Sequence, residues 1–120
     1  MQIDSSHEVF TQVCDALIEA ARDRRLLTYP EASHIMGYSG KGPEMGRRVG
    51  AMGDAINEIE QRAGRPMLSA LIVKTKSRVP GEGFYRGAFA LGRTTPFGVD
   101  GSDRAFWERE RDAVYAEWGA

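Results

Sequence analysis

The chain has 120 residues, a formal net charge of −1 and 42% hydrophobic residues, enough for one modest core in one domain spanning residues 1–120. Its single cysteine, Cys14, excludes an internal disulfide and a multi-cysteine zinc site, and no apolar run is long enough to cross a bilayer. The near-neutral total gives no global nucleic-acid signal, but residues 22–48 and 62–93 are net basic between net acidic neighbours, so a local cationic face remains available.

The first ten residues lack a basic stretch followed by an apolar run, so no signal peptide is expected, and the lone thiol points to a reducing cytoplasm. Residues 1–5 are expected to fray. Ser5 or Ser6 caps a first helix, with Glu8 near its positive end, and Val9, Phe10, Val13, Leu17 and Ala20 or Ala21 recur at helical spacing. Cys14 reads as core filler on or beside that stripe, because Glu8 and Asp15 do not supply the electropositive setting of a reactive thiolate. The pattern fades in the run Arg22-Asp23-Arg24-Arg25.

Residues 27–64 organise the chain: a short helix, a glycine-rich turn and a longer helix opening with paired arginines. Residues 26–29 are extended, since Pro30 disfavours a helical Tyr29. Thr28 and Glu31 have the spacing of a capping box, and Pro30 falls in the first turn, where its missing donor costs little. The helix runs to about Met36, with Ala32, Ile35 and Met36 inward, and Gly37 ends it. After the turn, Met45, Val49, Met52, Ile56, Ile59 and Ala63 form an apolar seam along one helix. Gly46, Gly50 and Gly53 each cost that helix roughly 1 kcal/mol against alanine, a penalty that close approach of another helix or a nucleic-acid strand would offset. Gly64 and Pro66 stop it.

The continuous apolar run over residues 67–74 predicts a buried strand, residues 76–78 a turn, and residues 79–85 a second extended piece, together a short β-hairpin wing. Residues 87–102 form a glycine-punctuated loop. Asp103 caps a last helix over 103–118, whose Phe106, Trp107, Val114, Tyr115 and Trp118 make an aromatic stripe that either docks on the core or offers a patch to a protein partner.

Phe10-Thr11-Gln12-Val13, then Leu27-Thr28-Tyr29, then Gly37, then Arg47-Arg48-Val49-Gly50 resemble, in order and spacing, the C-terminal domain of alkylguanine-DNA alkyltransferases and alkyltransferase-like proteins. The resemblance covers roughly residues 8–87. It implies a winged helix-turn-helix domain of α+β class, with an N-terminal helix, a short hairpin wing and a C-terminal helix, that enters the minor groove and bends the duplex. It also implies that Tyr29 presses the phosphate beside a flipped nucleotide and that Arg47 fills the vacated space, where a planar cation can bond the orphaned partner base. The family's reactive P-C-H-R has no counterpart here: Leu68-Ser69-Ala70-Leu71 occupies that stretch, and no histidine follows Ser69 to act as a base. Pro43 and Arg48 also depart from the family's pattern. Alkyl transfer is therefore not expected.

No other chemistry gathers support. His7 and His34 fit no metal-ligand spacing, and His34 reads as a surface residue. Gly40-Lys41-Gly42 lacks the spacing of a phosphate loop, and a hydrolase built on Ser69 would need a nearby histidine. The expectation is a non-enzymatic protein without metal or cofactor that contacts double-stranded DNA. Arg47, Arg48 and Lys41 would meet phosphates or base edges, Tyr29 would position the backbone, and Lys74, Lys76, Arg78 and Arg86 would serve as the wing's contacts. The alternative is a protein-interaction module on the same fold, partnered through its C-terminal aromatic helix.

Overall fold

The computed structural model describes residues 5–95, 98 and 101–119. Five α-helices surround a two-stranded parallel sheet: α1 (Ser5–Arg22), β1 (Leu27–Thr28), α2 (Tyr29–Ile35), α3 (Pro43–Arg62), a 3-10 turn (Leu68–Leu71), β2 (Ile72–Val73), α4 (Glu82–Ala90) and α5 (Asp103–Trp118). The class is a small, mostly helical α+β. Ser5 and Ser6 already belong to α1, so neither precedes the helix as its cap; residues 1–4 lie outside the described residues.

β1 and β2 pair in parallel, Leu27 with Ile72 and Thr28 with Val73. A parallel pair needs a long crossover, and here α2, α3 and the 3-10 turn supply it. Val13, Leu17, Ala20 and Ala21 of α1 form one wall of the core; Val49 and Ile56 of α3 and Trp107 and Val114 of α5 form others, with residues 67–73 buried between them.

The capping box at α2 forms as the sequence indicates. Glu31 N–H donates to Thr28 Oγ1 at 3.2 Å, and Thr28 N–H donates to Glu31 Oε1 at 2.8 Å. α3 begins after Gly42, whose φ of 70° admits a residue without a side chain far more readily than any other. The α3 seam departs from expectation in its second half. Ile59 is 45% exposed and Ala63 is exposed, while Glu60 takes the buried position and is held by Arg65, Nη2 to Oε1 at 2.8 Å.

Further expectations are corrected. Residues 67–74 are not a strand until Ile72: the first part coils into the 3-10 turn. An apolar run buried on all sides carries no periodicity to separate the two conformations. The backbone groups a neighbouring strand would satisfy are taken by side chains instead. Glu110 accepts from Met67 N–H at 2.8 Å, Asn57 accepts from Ser69 N–H at 3.3 Å, and Trp107 Nε1–H donates to Ala70 O at 2.8 Å.

Residues 79–85 do not return as a second strand, so the hairpin wing is absent among the described residues; Glu82 starts α4. Phe84, Tyr85 and Ala88 are buried on one face of this helix, a helical spacing masked in the sequence by Gly83 and Gly87. α4 also takes the first part of the expected 87–102 loop, of which residues 96, 97, 99 and 100 lie outside the described residues. Arg93 fastens the start of that loop, donating to Gln61 Oε1 at 2.7 Å, Glu110 Oε2 at 2.7 Å and Arg65 O at 2.9 Å. Ser102 rather than Asp103 is the cap residue of α5. Among the described residues no helix is long and apolar enough to cross a membrane.

Candidate functional site

The N-terminal half of α3 borders a hollow of about 360 Å³. Gly46, Gly50 and Gly53 lie one helical stripe apart and leave that face bare; Tyr29, Met45, Val49, Ile72 and Phe84 make the apolar walls. A Cβ added at Gly46 or Gly50 would meet nothing within 4 Å, whereas one at Gly53 would lie 3.2 Å from Ser69 Cβ. Close packing therefore accounts for Gly53 alone. The other two glycines keep space open.

Tyr29, expected to be extended, is instead the first residue of α2, with Thr28 as the cap and Pro30 at the second position, and it closes one side of the hollow. Its hydroxyl accepts a hydrogen bond from Gly81 N–H at 2.9 Å, tying α2 to the segment before α4. Burial raises the phenol's pKa above its ordinary value; the Gly81 hydrogen bond opposes that shift and Asp54 adds to it. Asp54 also lines the hollow, and its carboxyl is raised, first by burial and then by Glu58. Ser69 lies at the floor, where its Oγ accepts from Asn57 Nδ2 at 2.7 Å. A carboxamide cannot take a proton from a hydroxyl, so this contact orients Ser69 without activating it. Ala70, the next residue, is wholly buried.

The arginines stand on the exposed side of the same helical turns. Arg47 and Arg48 both pair with Glu44, Arg48 Nε to Oε2 at 3.0 Å, and these hydrogen bonds hold the Glu44 carboxyl below its usual range. One carboxylate thus offsets one of two positive charges. The Arg48 guanidinium lies 4.3 Å from the centroid of the Tyr38 ring, which fixes its plane against an aromatic face. Both arginines remain largely exposed, at 68% and 53% of their side chains. Lys41 is exposed in the preceding turn.

The remaining cations of the expected wing disperse. Lys74 lines the hollow, and Lys76 is exposed in the turn that follows β2. Arg78 borders a different cleft, and Arg86 stands on α4 paired with Glu82. Tyr29 and Lys74 therefore meet at one hollow, with Arg47 and Arg48 on adjoining turns of α3, while Arg78 and Arg86 are elsewhere.

Compared with known protein families, curated proteins and solved structures, the chain matches none.

Sequence reasoning passed over Asp54 and Ser69 as parts of the hollow, and Asn57 as the residue that holds Ser69 in place. Asp54 follows Gly50 by four residues and so shares its stripe, a spacing visible in the sequence once the glycines are read as one face. The Asn57–Ser69 pairing has no local signal. His34 is exposed, and among the described residues no group of three histidines, cysteines or carboxylates could hold a metal ion.

Proposed function

We propose that this chain is a non-enzymatic, cytoplasmic DNA-binding protein of alkyltransferase-like type, which grips duplex with the front of α3 and admits an unstacked base to the hollow beside Tyr29. The observation that carries this reading is the bare glycine face of α3: Gly46 and Gly50 open an apolar hollow on the turns that carry Arg47 and Arg48. A base leaving the stack needs an apolar slot for its faces, and the gap it leaves needs a planar cation. Lys41 and Lys74 would add phosphate contacts on either side, and Tyr29 would direct its hydroxyl hydrogen to a phosphate while its oxygen keeps the Gly81 bond.

The alternative, a protein-binding module using the aromatic last helix, has little surface to work with. Phe106, Trp107 and Tyr115 are buried, and only Trp118 of that stripe is partly exposed.

Fluorescence anisotropy against intact, mismatched and abasic duplexes over a range of salt tests the proposal. Tighter binding to the mismatched duplex is expected, with the Arg47→Ala/Arg48→Ala double variant weaker on all duplexes and less salt-dependent. Equal affinity of the double variant and the parent would retire it.

A further inference from the structure

A second cleft, of about 820 Å³, opens between the end of α1, the start of α2, the turn after β2 and the middle of α5. Arg24, Arg25, Arg78 and Arg111 line it together with Thr75 and Tyr115. These arginines come from three separate parts of the chain, so no single helix periodicity explains their meeting.

Backbone conformation singles out two of them. Among the described residues eight have positive φ; six are glycines, and the two exceptions are Arg24 at 54° and Arg78 at 60°. Arg24 occupies the helix-ending position of α1, with Arg25 N–H donating to Ala20 O at 2.7 Å, a place glycine ordinarily takes. Arg78 closes the turn after β2, where Lys74 N–H donates to Val79 O at 2.9 Å. A left-handed backbone is unfavourable for a residue with a Cβ, and strain of this kind gathers at functional sites. Both strained positions carry an arginine, and both arginines line this cleft.

The charges are under-compensated. Arg111 pairs with Asp112 at 2.9 Å and Arg25 with Asp23 at 3.3 Å, but among the described residues neither Arg24 nor Arg78 pairs with a carboxylate. Glu31, the other acid lining the cleft, accepts the N–H and the hydroxyl of Thr28 on Oε1 and pairs with no arginine among the described residues, so four arginines face two carboxylates across the lining. The Arg24 guanidinium lies 5.7 Å from the Tyr115 ring centroid, and the Tyr115 hydroxyl donates to Arg25 O at 3.0 Å. Tyr115 therefore holds the arginine end of α1 against α5; Arg25 is met there by Asp23 and, at 4.0 Å, Glu19, which leaves Arg24 as the cleft-lining cation of that end with no carboxylate partner among the described residues.

We infer that this cleft is a binding site for a ligand carrying two or more neighbouring phosphate groups, either the polyphosphate end of a nucleotide or successive phosphates of a nucleic-acid strand. Planar guanidinium groups match phosphate oxygens in pairs, and a cleft this wide with arginines on three sides suits more than one phosphate. The site shares no arginine with the front of α3, so it stands or falls apart from the function proposed above.

Isothermal titration calorimetry of the full chain with inorganic pyrophosphate, with ADP and with a single-stranded oligothymidine tests it at low salt. Saturable binding of at least one probe is expected, weakened roughly tenfold or more by Arg24→Gly/Arg78→Gly and separately by Arg111→Gln. Because glycine adopts a left-handed backbone without strain, Arg24→Gly/Arg78→Gly should keep the parent's circular dichroism and a cooperative melt well above the assay temperature, so its lost binding cannot be ascribed to unfolding. Binding of pyrophosphate or ADP identifies a nucleotide as the source, and binding of the oligonucleotide alone identifies a strand. Arg47→Ala/Arg48→Ala should bind pyrophosphate or ADP as the parent does. Absence of saturable binding by all three probes would overturn the inference, as would affinities that Arg24→Gly/Arg78→Gly leaves unchanged.

Discussion

Asn57 of α3 grips Ser69 of the 3-10 turn at two points: its Nδ2 donates to Ser69 Oγ at 2.7 Å, and its Oδ1 accepts from Ser69 N–H at 3.3 Å. Both residues are buried. The pair replaces a strand-to-strand ladder where the chain enters β2, and it sets the floor of the hollow against Gly53. Removing Asn57 strands a buried N–H and a buried hydroxyl, whereas removing the Ser69 hydroxyl strands only the Asn57 Nδ2–H and leaves the backbone N–H bond in place. Asn57→Ala is expected to cost about 2–3 kcal/mol and Ser69→Ala about 1 kcal/mol, measured by urea unfolding. Equal costs would mean that the bond to the Ser69 backbone contributes nothing.

The Tyr29–Gly81 contact predicts a non-additive pair. A Cβ at Gly81 would lie 2.8 Å from the Tyr29 hydroxyl oxygen but 3.5 Å from the ring carbon that bears it. Tyr29→Phe should cost about 1 kcal/mol through the lost hydrogen bond. Gly81→Ala should destabilise the parent by pushing the phenol aside, yet be nearly neutral once the hydroxyl is gone. A double-mutant cycle measures this coupling directly, and additive costs would show that the phenol moves away freely.

These two contacts mark the boundary between what was legible in the sequence and what was not. The turn from β1 into α2 could be read because its determinants are local: Thr28 and Glu31 satisfy each other's backbone within one turn, and Pro30 cannot sit elsewhere. α3 could be read as a helix because its apolar spacing recurs along the sequence, although Ile59 and Ala63 at its end prove exposed. The segment over residues 67–73 could not, because its conformation is set by Glu110, Asn57 and Trp107, which reach it from two helices distant in sequence. α4 was obscured by its own glycines, whose low helix propensity outweighed the spacing of Phe84, Tyr85 and Ala88. At the candidate site, Tyr29 could be placed beside the start of α2 and Arg47 and Arg48 at the front of α3, but the hollow could not be seen, since an open space beside two glycines and a packed contact beside a third look alike in one dimension.

Cys14 gives a prediction in pH. Burial, then Glu60, then Asp15 push its thiol from 9.0 up to about 11. The folded state therefore favours the neutral thiol, and its contribution to stability is complete below pH 9 and is lost as pH rises toward 11 and the unfolded chain ionises first. Tyr29, Tyr85 and Tyr115, each raised from 10.0 chiefly by burial, extend the same loss above pH 10. Thermal melts from pH 8 to 11.5 should fall across this range, and Cys14→Ala should flatten its lower part. Iodoacetamide at pH 8 should label the folded chain about a hundredfold more slowly than the unfolded chain, since only the thiolate reacts. Equal labelling rates would contradict the burial of the sulfur.

The glycines of α3 separate stability from function. Alanine at Gly46 or Gly50 meets nothing within 4 Å, so each substitution should raise stability by up to about 1 kcal/mol through helix propensity alone. Gly53→Ala should gain less or destabilise, because its Cβ would lie 3.2 Å from Ser69 Cβ and Asn57 holds Ser69 in place. Natural chains keep such unfavourable residues where activity needs the space. The added methyl groups would project into the hollow beside Tyr29 and Phe84, so Gly46→Ala/Gly50→Ala should erase the preference for mismatched over intact duplex. It should leave the salt-dependent duplex binding proposed for Arg47 and Arg48 largely intact. A more stable variant with its mismatch preference undiminished would show that an unstacked base does not enter here, and the function of the bare face would have to be sought in another ligand.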